Sequence, residues 1–189
     1  DFSEKEAAKS LFWFPWIAFV MGAIVGFVNN FFYDVGPLIG AFSGILVLYL
    51  LNGGLHMDGL MDTADGFLSN RERDRVVEIM HDSTIGVFAV LALVLIVLGK
   101  FSVLASVAIQ PIEMGIFFAS VRMGVLTAIH FFPSASSSSM GNFFKRGASK
   151  NSYYLQWLLL AAIILFTRGK SFLFFPVAAC LWGVLLSRL

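Results

Sequence analysis

Seven of the twelve acidic residues fall between Asp58 and Asp82, inside a stretch that reads NGGLHMDGLMDTADGFLSNRERDRVVEIMHDSTIG from Asn52 to Gly86. Asp58, Asp62 and Asp65 are spaced by four and then three. On an α-helix, at about 100° per residue, they share an arc of roughly 60° along about 10 Å of axis. Three carboxylates on so narrow a stripe repel one another unless positive charge lies over them. Their neighbours Leu55, Met57, Leu60, Met61 and Phe67 supply none. Mg²⁺ prefers oxygen ligands and is commonly shared between carboxylates and substrate phosphates, so Asp58, Asp62 and Asp65 are the candidate metal ligands. Gly59 and Gly66 lie beside the stripe and remove side-chain bulk where a substrate could approach the backbone.

A second acidic set, Asp74, Glu78 and Asp82, repeats every four residues among Arg71, Arg73 and Arg75. Acids and arginines alternating on one helix commonly form a solvated face with i,i+4 pairs. Alternatively, two helices joined near Ser69–Arg71 would face their stripes toward each other and build a one- or two-metal cleft. Arg75 would then be available for phosphate oxygens, which arginine binds bidentately. The residues alone leave both readings open. His56 stands about 160° from Asp58 on an ideal helix, so it joins the site only if the chain bends at Gly53–Gly54.

The elements that must hold these residues are apolar. The hydrophobic fraction is 58% and only 13% of residues are charged, against about 45–50% and 25% in a soluble domain. The excess comes in blocks of the length that crosses a bilayer, about 20 residues each. The predicted fold is therefore an all-α, polytopic helical membrane protein in a single integral-membrane catalytic domain over residues 1–189. Six spans are expected: Leu11–Val28, Val35–Leu51, Gly86–Ile109, Ile112–Phe132, Tyr153–Phe166 and Ser171–Leu186, with the acidic helical segment between the second and third. A short helical lead-in precedes them, a turn is expected over Asn29–Asp34, and Pro133–Lys150 reads as a polar loop with a serine run at Ser136–Ser139. A formal net charge of +1 argues against a general nucleic-acid binder, which would show a basic stripe. The single Cys180 excludes an intrachain disulfide, and no cleavable signal peptide is apparent. The chain opens on Asp1 rather than Met, and residues upstream are expected.

Basic residues outside the spans set the orientation. With a cytoplasmic N-terminus, that side collects Lys5, Lys9, Arg71, Arg73, Arg75, Lys145, Arg146, Lys150 and Arg188, and the other side Arg168 and Lys170. The acidic segment is then cytoplasmic. Lys100 and Arg122 fall inside apolar blocks without a neighbouring acid. They read either as cationic contacts to a substrate phosphate or as snorkelling residues. For Lys100 a helix break at Gly99–Lys100 is a further possibility.

Two motifs, Gly-Gly-Leu-His-Met-Asp-Gly-Leu-Met-Asp-Thr-Ala-Asp-Gly at Gly53–Gly66 and Glu-Ile-Met-His-Asp-Ser-Thr-Ile-Gly at Glu78–Gly86, together resemble the adenosylcobinamide-GDP ribazoletransferases, or cobalamin synthases. The likeness is strong over residues 53–86 and loose elsewhere. It implies an integral membrane transferase of the inner membrane that uses Mg²⁺. Such an enzyme joins adenosylcobinamide-GDP to α-ribazole or its 5′-phosphate, releasing GMP. By the family pattern His56, Asp58, Asp62, Asp65, Glu78 and Asp82 form the polar core. Asp82 is then the candidate general base, with Glu78, His81 and His56 beside it, and Arg75 and Arg122 as substrate contacts. Family members start earlier and continue past the last span into a Gly-Gly-x-Thr-Gly-Asp segment that does not occur before Leu189, so a piece of a longer protein is expected.

Two other classes compete. A CDP-alcohol-type phosphotransferase or a prenyltransferase would use the same acidic cleft on a lipid diphosphate. A cation-coupled transporter would place acids near the membrane midplane within repeated halves. Here the acids cluster once, at the edge of the apolar blocks, which favours chemistry on a water-soluble group.

Overall fold

The computed structural model describes Glu6 and residues 9–132, 140–146 and 148–167, and every regular element among them is helical. A single 3₁₀ turn, Leu11–Trp13, leads into α1 (Phe14–Tyr33). Then come α2 (Pro37–Asn52), α3 (Leu55–Leu68), α4 (Arg73–Met80), α5 (Val87–Ser106), α6 (Pro111–Phe131), α7 (Met140–Arg146) and α8 (Lys150–Thr167). The starts and stops have local causes. Pro37 and Pro111 open α2 and α6 from the first turn, where the missing N–H is harmless and the fixed φ is already helical. Gln110 and Glu113 add a reciprocal capping box to α6. Helix α2 ends where Gly53 and Gly54 turn to φ 61° and 76°, a left-handed pair that glycine adopts without a Cβ penalty.

The chain gathers into two compact units, Asp1–Gly26 with Gln110–Leu189 and Phe27–Ile109. In the first, α6 packs against α7 and α8 around a buried cluster of Leu11, Ile116, Met123, Leu126, Leu160 and Ile164. In the second, α5 packs against α2 and α3, and α4 lies on α3. Asn29 is fully buried and donates from Nδ2 to the Leu104 carbonyl (3.4 Å). The expected turn over Asn29–Asp34 is therefore helix as far as Tyr33, because Asn29 finds its partner on α5 rather than in a local turn.

Three helices are long and apolar enough to cross a membrane: Leu11–Tyr33, Val87–Ser106 and Pro111–Phe131. Helix α2 has 16 residues, about 24 Å, which falls short of a hydrocarbon core of about 30 Å. It continues into α3 through an 89° bend, and the pair counts as a fourth crossing only if taken as one broken span. Six crossings are thus not reached among the described residues. Helix α8 begins Lys150-Asn151-Ser152 and carries a buried Gln156, and it does not meet the same apolar standard. The expected span Ser171–Leu186, the serine run Ser136–Ser139 and most of the lead-in lie outside the described residues. The rest of the Pro133–Lys150 loop holds about two helical turns, α7, whose Lys145 donates to the Phe132 carbonyl (2.8 Å). Helix α5 runs unbroken through Gly99–Lys100, so the break weighed there is absent. Lys100 Nζ lies 5.5 Å from the centre of the Tyr49 ring, a cation–π contact that gives the ammonium a partner without an acid.

Candidate active site

The residues 55–68 do form one helix, so Asp58, Asp62 and Asp65 share a face of α3. All three line one open pocket of about 370 Å³. The same pocket is lined by the turn that follows α4, His81 to Ile85, and by Met61, Met80 and Ala89. Helix α4 can lie this close because Gly66 is buried without a side chain: a Cβ there would stand 2.6 Å from Met80 Cγ and 3.3 Å from Val76 Cγ1. Gly66 is therefore a packing glycine, whereas a Cβ on Gly59 would meet nothing within 4 Å. The two glycines that look alike in sequence have different surroundings.

The second acidic set does not survive as one stripe. Helix α4 stops at Met80 and His81 caps it, so the four-residue register breaks between Glu78 and Asp82. Asp82 reaches the pocket and Asp74 and Glu78 do not. Glu78 pairs on the exposed side of α4 with Arg75. The hydrogen bond and charge of Glu78 raise the Arg75 guanidinium above its usual range, so it stays charged at any physiological pH. Arg75 is likewise outside the pocket lining. Residues 71–78 thus match the solvated-face reading for Arg75 and Glu78.

The turn itself is well tied. Asp82 Oδ1 accepts from the Thr84 backbone N–H (3.0 Å). That bond and a second one to the Thr84 side chain hold the Asp82 carboxyl below its ordinary range. A carboxylate so stabilised is a weaker base than a free one. His81 Nδ1 lies 2.7 Å from the Val77 carbonyl. A carbonyl only accepts, so this bond requires the proton on Nδ1 and leaves the lone pair of a neutral ring on Nε2.

Asp65 has a role that spacing did not reveal. Its Oδ2 accepts from the Gly86 N–H (2.6 Å) and its Oδ1 from the Ala89 N–H (2.8 Å). These are the N-cap and third residues of α5, and Gly86 offers no capping side chain of its own. One carboxylate from another helix so performs both halves of a capping box. The available signal was a long apolar helix opening on glycine, without Ser, Thr, Asp or Asn at its start. Thr84, which restrains Asp82, carries no such signal in the sequence beyond its place in the Glu78–Gly86 motif.

The chain does bend at Gly53–Gly54, but the bend precedes α3 and His56 lies after it, two residues from Asp58 on the same helix. Its angular distance from Asp58 is therefore unchanged, and it is outside the pocket lining. Arg122 sits midway along α6 in the other compact unit, half-buried.

Whether these residues suit a divalent cation can be tested on their chemistry. Four carboxylates line the pocket, and among the described residues none of the four forms an ion pair. No three His, Cys, Asp or Glu side chains among those residues converge on one point. Such an arrangement fits a Mg²⁺ held by one or two carboxylates together with water and substrate phosphates, and it does not fit a cage built wholly by protein.

No solved structure matches the chain. Among curated proteins it is 33% identical over 182 residues to the adenosylcobinamide-GDP ribazoletransferase of Desulforamulus reducens, covering 94% of this chain and 66% of that protein. It is 44% identical over 105 residues to the enzyme of the same name from Escherichia coli (strain K12 / DH10B), covering 54% of this chain and 42% of that protein. The chain thus spans less than two thirds of the length of either relative. The family model described as cobalamin-5-phosphate synthase matches residues 1–189, and the chain belongs to that family.

Proposed function

We propose that the acidic pocket carries out Mg²⁺-dependent transfer between adenosylcobinamide-GDP and α-ribazole or its 5′-phosphate, releasing GMP, at the end of cobalamin synthesis. The observation that carries this reading is the set of four aspartates, Asp58, Asp62, Asp65 and Asp82, around one open pocket in a chain of this family. A hydroxyl oxygen of the ribazole ribose attacks the pyrophosphate phosphorus on the cobinamide side. The new P–O bond forms as the bond to the GMP phosphate breaks, and the hydroxyl proton leaves to a base. Asp58 and Asp62 would hold the cation, while Asp65, both of whose oxygens accept backbone bonds from the start of α5, would hold the stripe in place. When bound, Mg²⁺ supplies neutralisation of the diphosphate and the leaving phosphate.

The turn after α4 faces those carboxylates and supplies the base. His81 Nε2 is our choice, because Val77 fixes the ring's other nitrogen as the donor. Asp82 is placed to hold the turn, its charge stabilised by Thr84. The bias of basic residues supports a multi-pass protein of the inner membrane with this pocket on the cytoplasmic side. Three helices of sufficient length support the bilayer as its surroundings.

The test is GMP release from adenosylcobinamide-GDP and α-ribazole 5′-phosphate in proteoliposomes, with Mg²⁺ and with a chelator. GMP should appear only with Mg²⁺ and only when both substrates are present. Cation flux without GMP release would replace this reading with the transporter.

A further inference from the structure

Building on that reading of the pocket, we propose that Gly86 is a positioning residue: its missing side chain lets the Asp65 carboxylate lie across the start of α5, which fixes where the α3 stripe stands. A Cβ at Gly86 would lie 2.5 Å from Asp65 Oδ1 and 2.7 Å from Oδ2. Both oxygens are too close for any side chain to be accommodated without moving the carboxylate. The backbone at Gly86 has φ −89° and ψ 174°, an extended conformation open to any residue, so glycine is required here for space and not for conformation. Asp65 in turn satisfies two N–H groups that α5 leaves unpaired, and its charge meets the positive end of that helix.

The consequence reaches the pocket because Asp58 and Asp62 are rigidly attached to Asp65 through one α-helix. Displacing Asp65 shifts all three carboxylates relative to the His81–Ile85 turn. Gly86 touches no substrate in this account; it acts through Asp65. Partners that orient metal ligands change metal affinity by about 10–100-fold when altered.

Two measurements on the detergent-solubilised full chain test this. Mn²⁺ binding, used as a probe for the divalent cation, should weaken at least about 10-fold in Gly86→Ala while the melting transition remains cooperative. In an Asp65→Ala background, adding Gly86→Ala should weaken it no further, because the clash is gone. Wild-type affinity in Gly86→Ala, or losses that multiply in the double variant, would overturn the proposal. Hydrogen exchange supplies a second readout if Gly86→Ala does not fold. Asp65→Ala should speed exchange at the Gly86 and Ala89 amides and leave the middle of α5 unchanged, and equal protection in both proteins would refute the lock. Neither measurement uses turnover, so a wild-type protein that fails to release GMP would refute the proposed reaction without touching this result.

Discussion

Helices α3 and α4 carry similar numbers of acids in adjacent stretches, yet only α3 turns its stripe to the pocket. Helix α3 carries its aspartates among apolar side chains and has no Lys or Arg of its own, so their charge has to be met by something else. On α4 the acids come interleaved with arginines and Glu78 meets Arg75 in solvent. The difference lies in compensation, not in the number of charges. Where a helix supplies its own counter-charge, an acid pairs with it, as Glu78 does with Arg75; where it does not, the acids line a pocket.

Several substitutions can break that contrast, and they differ in expected size. The largest effect should come from the pocket's own base. His81→Ala should lower turnover by about 10²–10⁴-fold, the usual worth of a positioned general base. Turnover unchanged in His81→Ala would return the role to Asp82. Next in size is Gly66→Ala, which forces Met80 and Val76 away. Overpacking of this kind destabilises by about 1–3 kcal/mol and should be visible as a lower melting temperature. Its counterpart Gly59→Ala meets open space and should stabilise α3 by about 0.5–1 kcal/mol. If the two alanine variants melt alike, the close approach of α4 to α3 is wrong.

Smaller effects are expected on the α4 side. Asp82 has a folded-state pKa below its unfolded one, so the stability it contributes is present at neutral pH and above the unfolded value of about 3.9. It is lost as the pH falls through the lower folded value. Asp82→Asn keeps an acceptor for the Thr84 N–H and should flatten only that acid limb of the stability curve. Smallest of all, Glu78→Gln should leave the melting temperature unchanged, since an exposed ion pair contributes little.

Much of the pocket is legible in the sequence. The four-three spacing of Asp58, Asp62 and Asp65 demanded one helical face, and the helix formed. The junction expected near Ser69–Arg71 is also present, between Leu68 and Arg73. What spacing could not show was where α4 stops. Extending the period from Glu78 to Asp82 assumed an unbroken helix, whereas the chain leaves it at His81 and uses Asp82 to cap the following turn. The role of Gly86 was hidden for a related reason: its partner Asp65 is 21 positions away, beyond any local pattern. The spans were read from apolar length alone. That criterion recovered α1, α5 and α6 but not the bend after Asn52, which two left-handed glycines impose on an apolar run of only 16 residues.

The contrast between the two helices is tested most directly by assaying Mg²⁺-dependent GMP release in Asp62→Asn beside Asp74→Asn, each in proteoliposomes and normalised to folded protein. Asp62 lines the pocket on α3, and Asp74 occupies the first turn of α4 in solvent. Turnover in Asp62→Asn should fall by more than about 100-fold, the scale of losing one preorganised electrostatic contact, while Asp74→Asn should stay near the wild-type rate. Normal turnover in Asp62→Asn, or an equal loss in both, would contradict it.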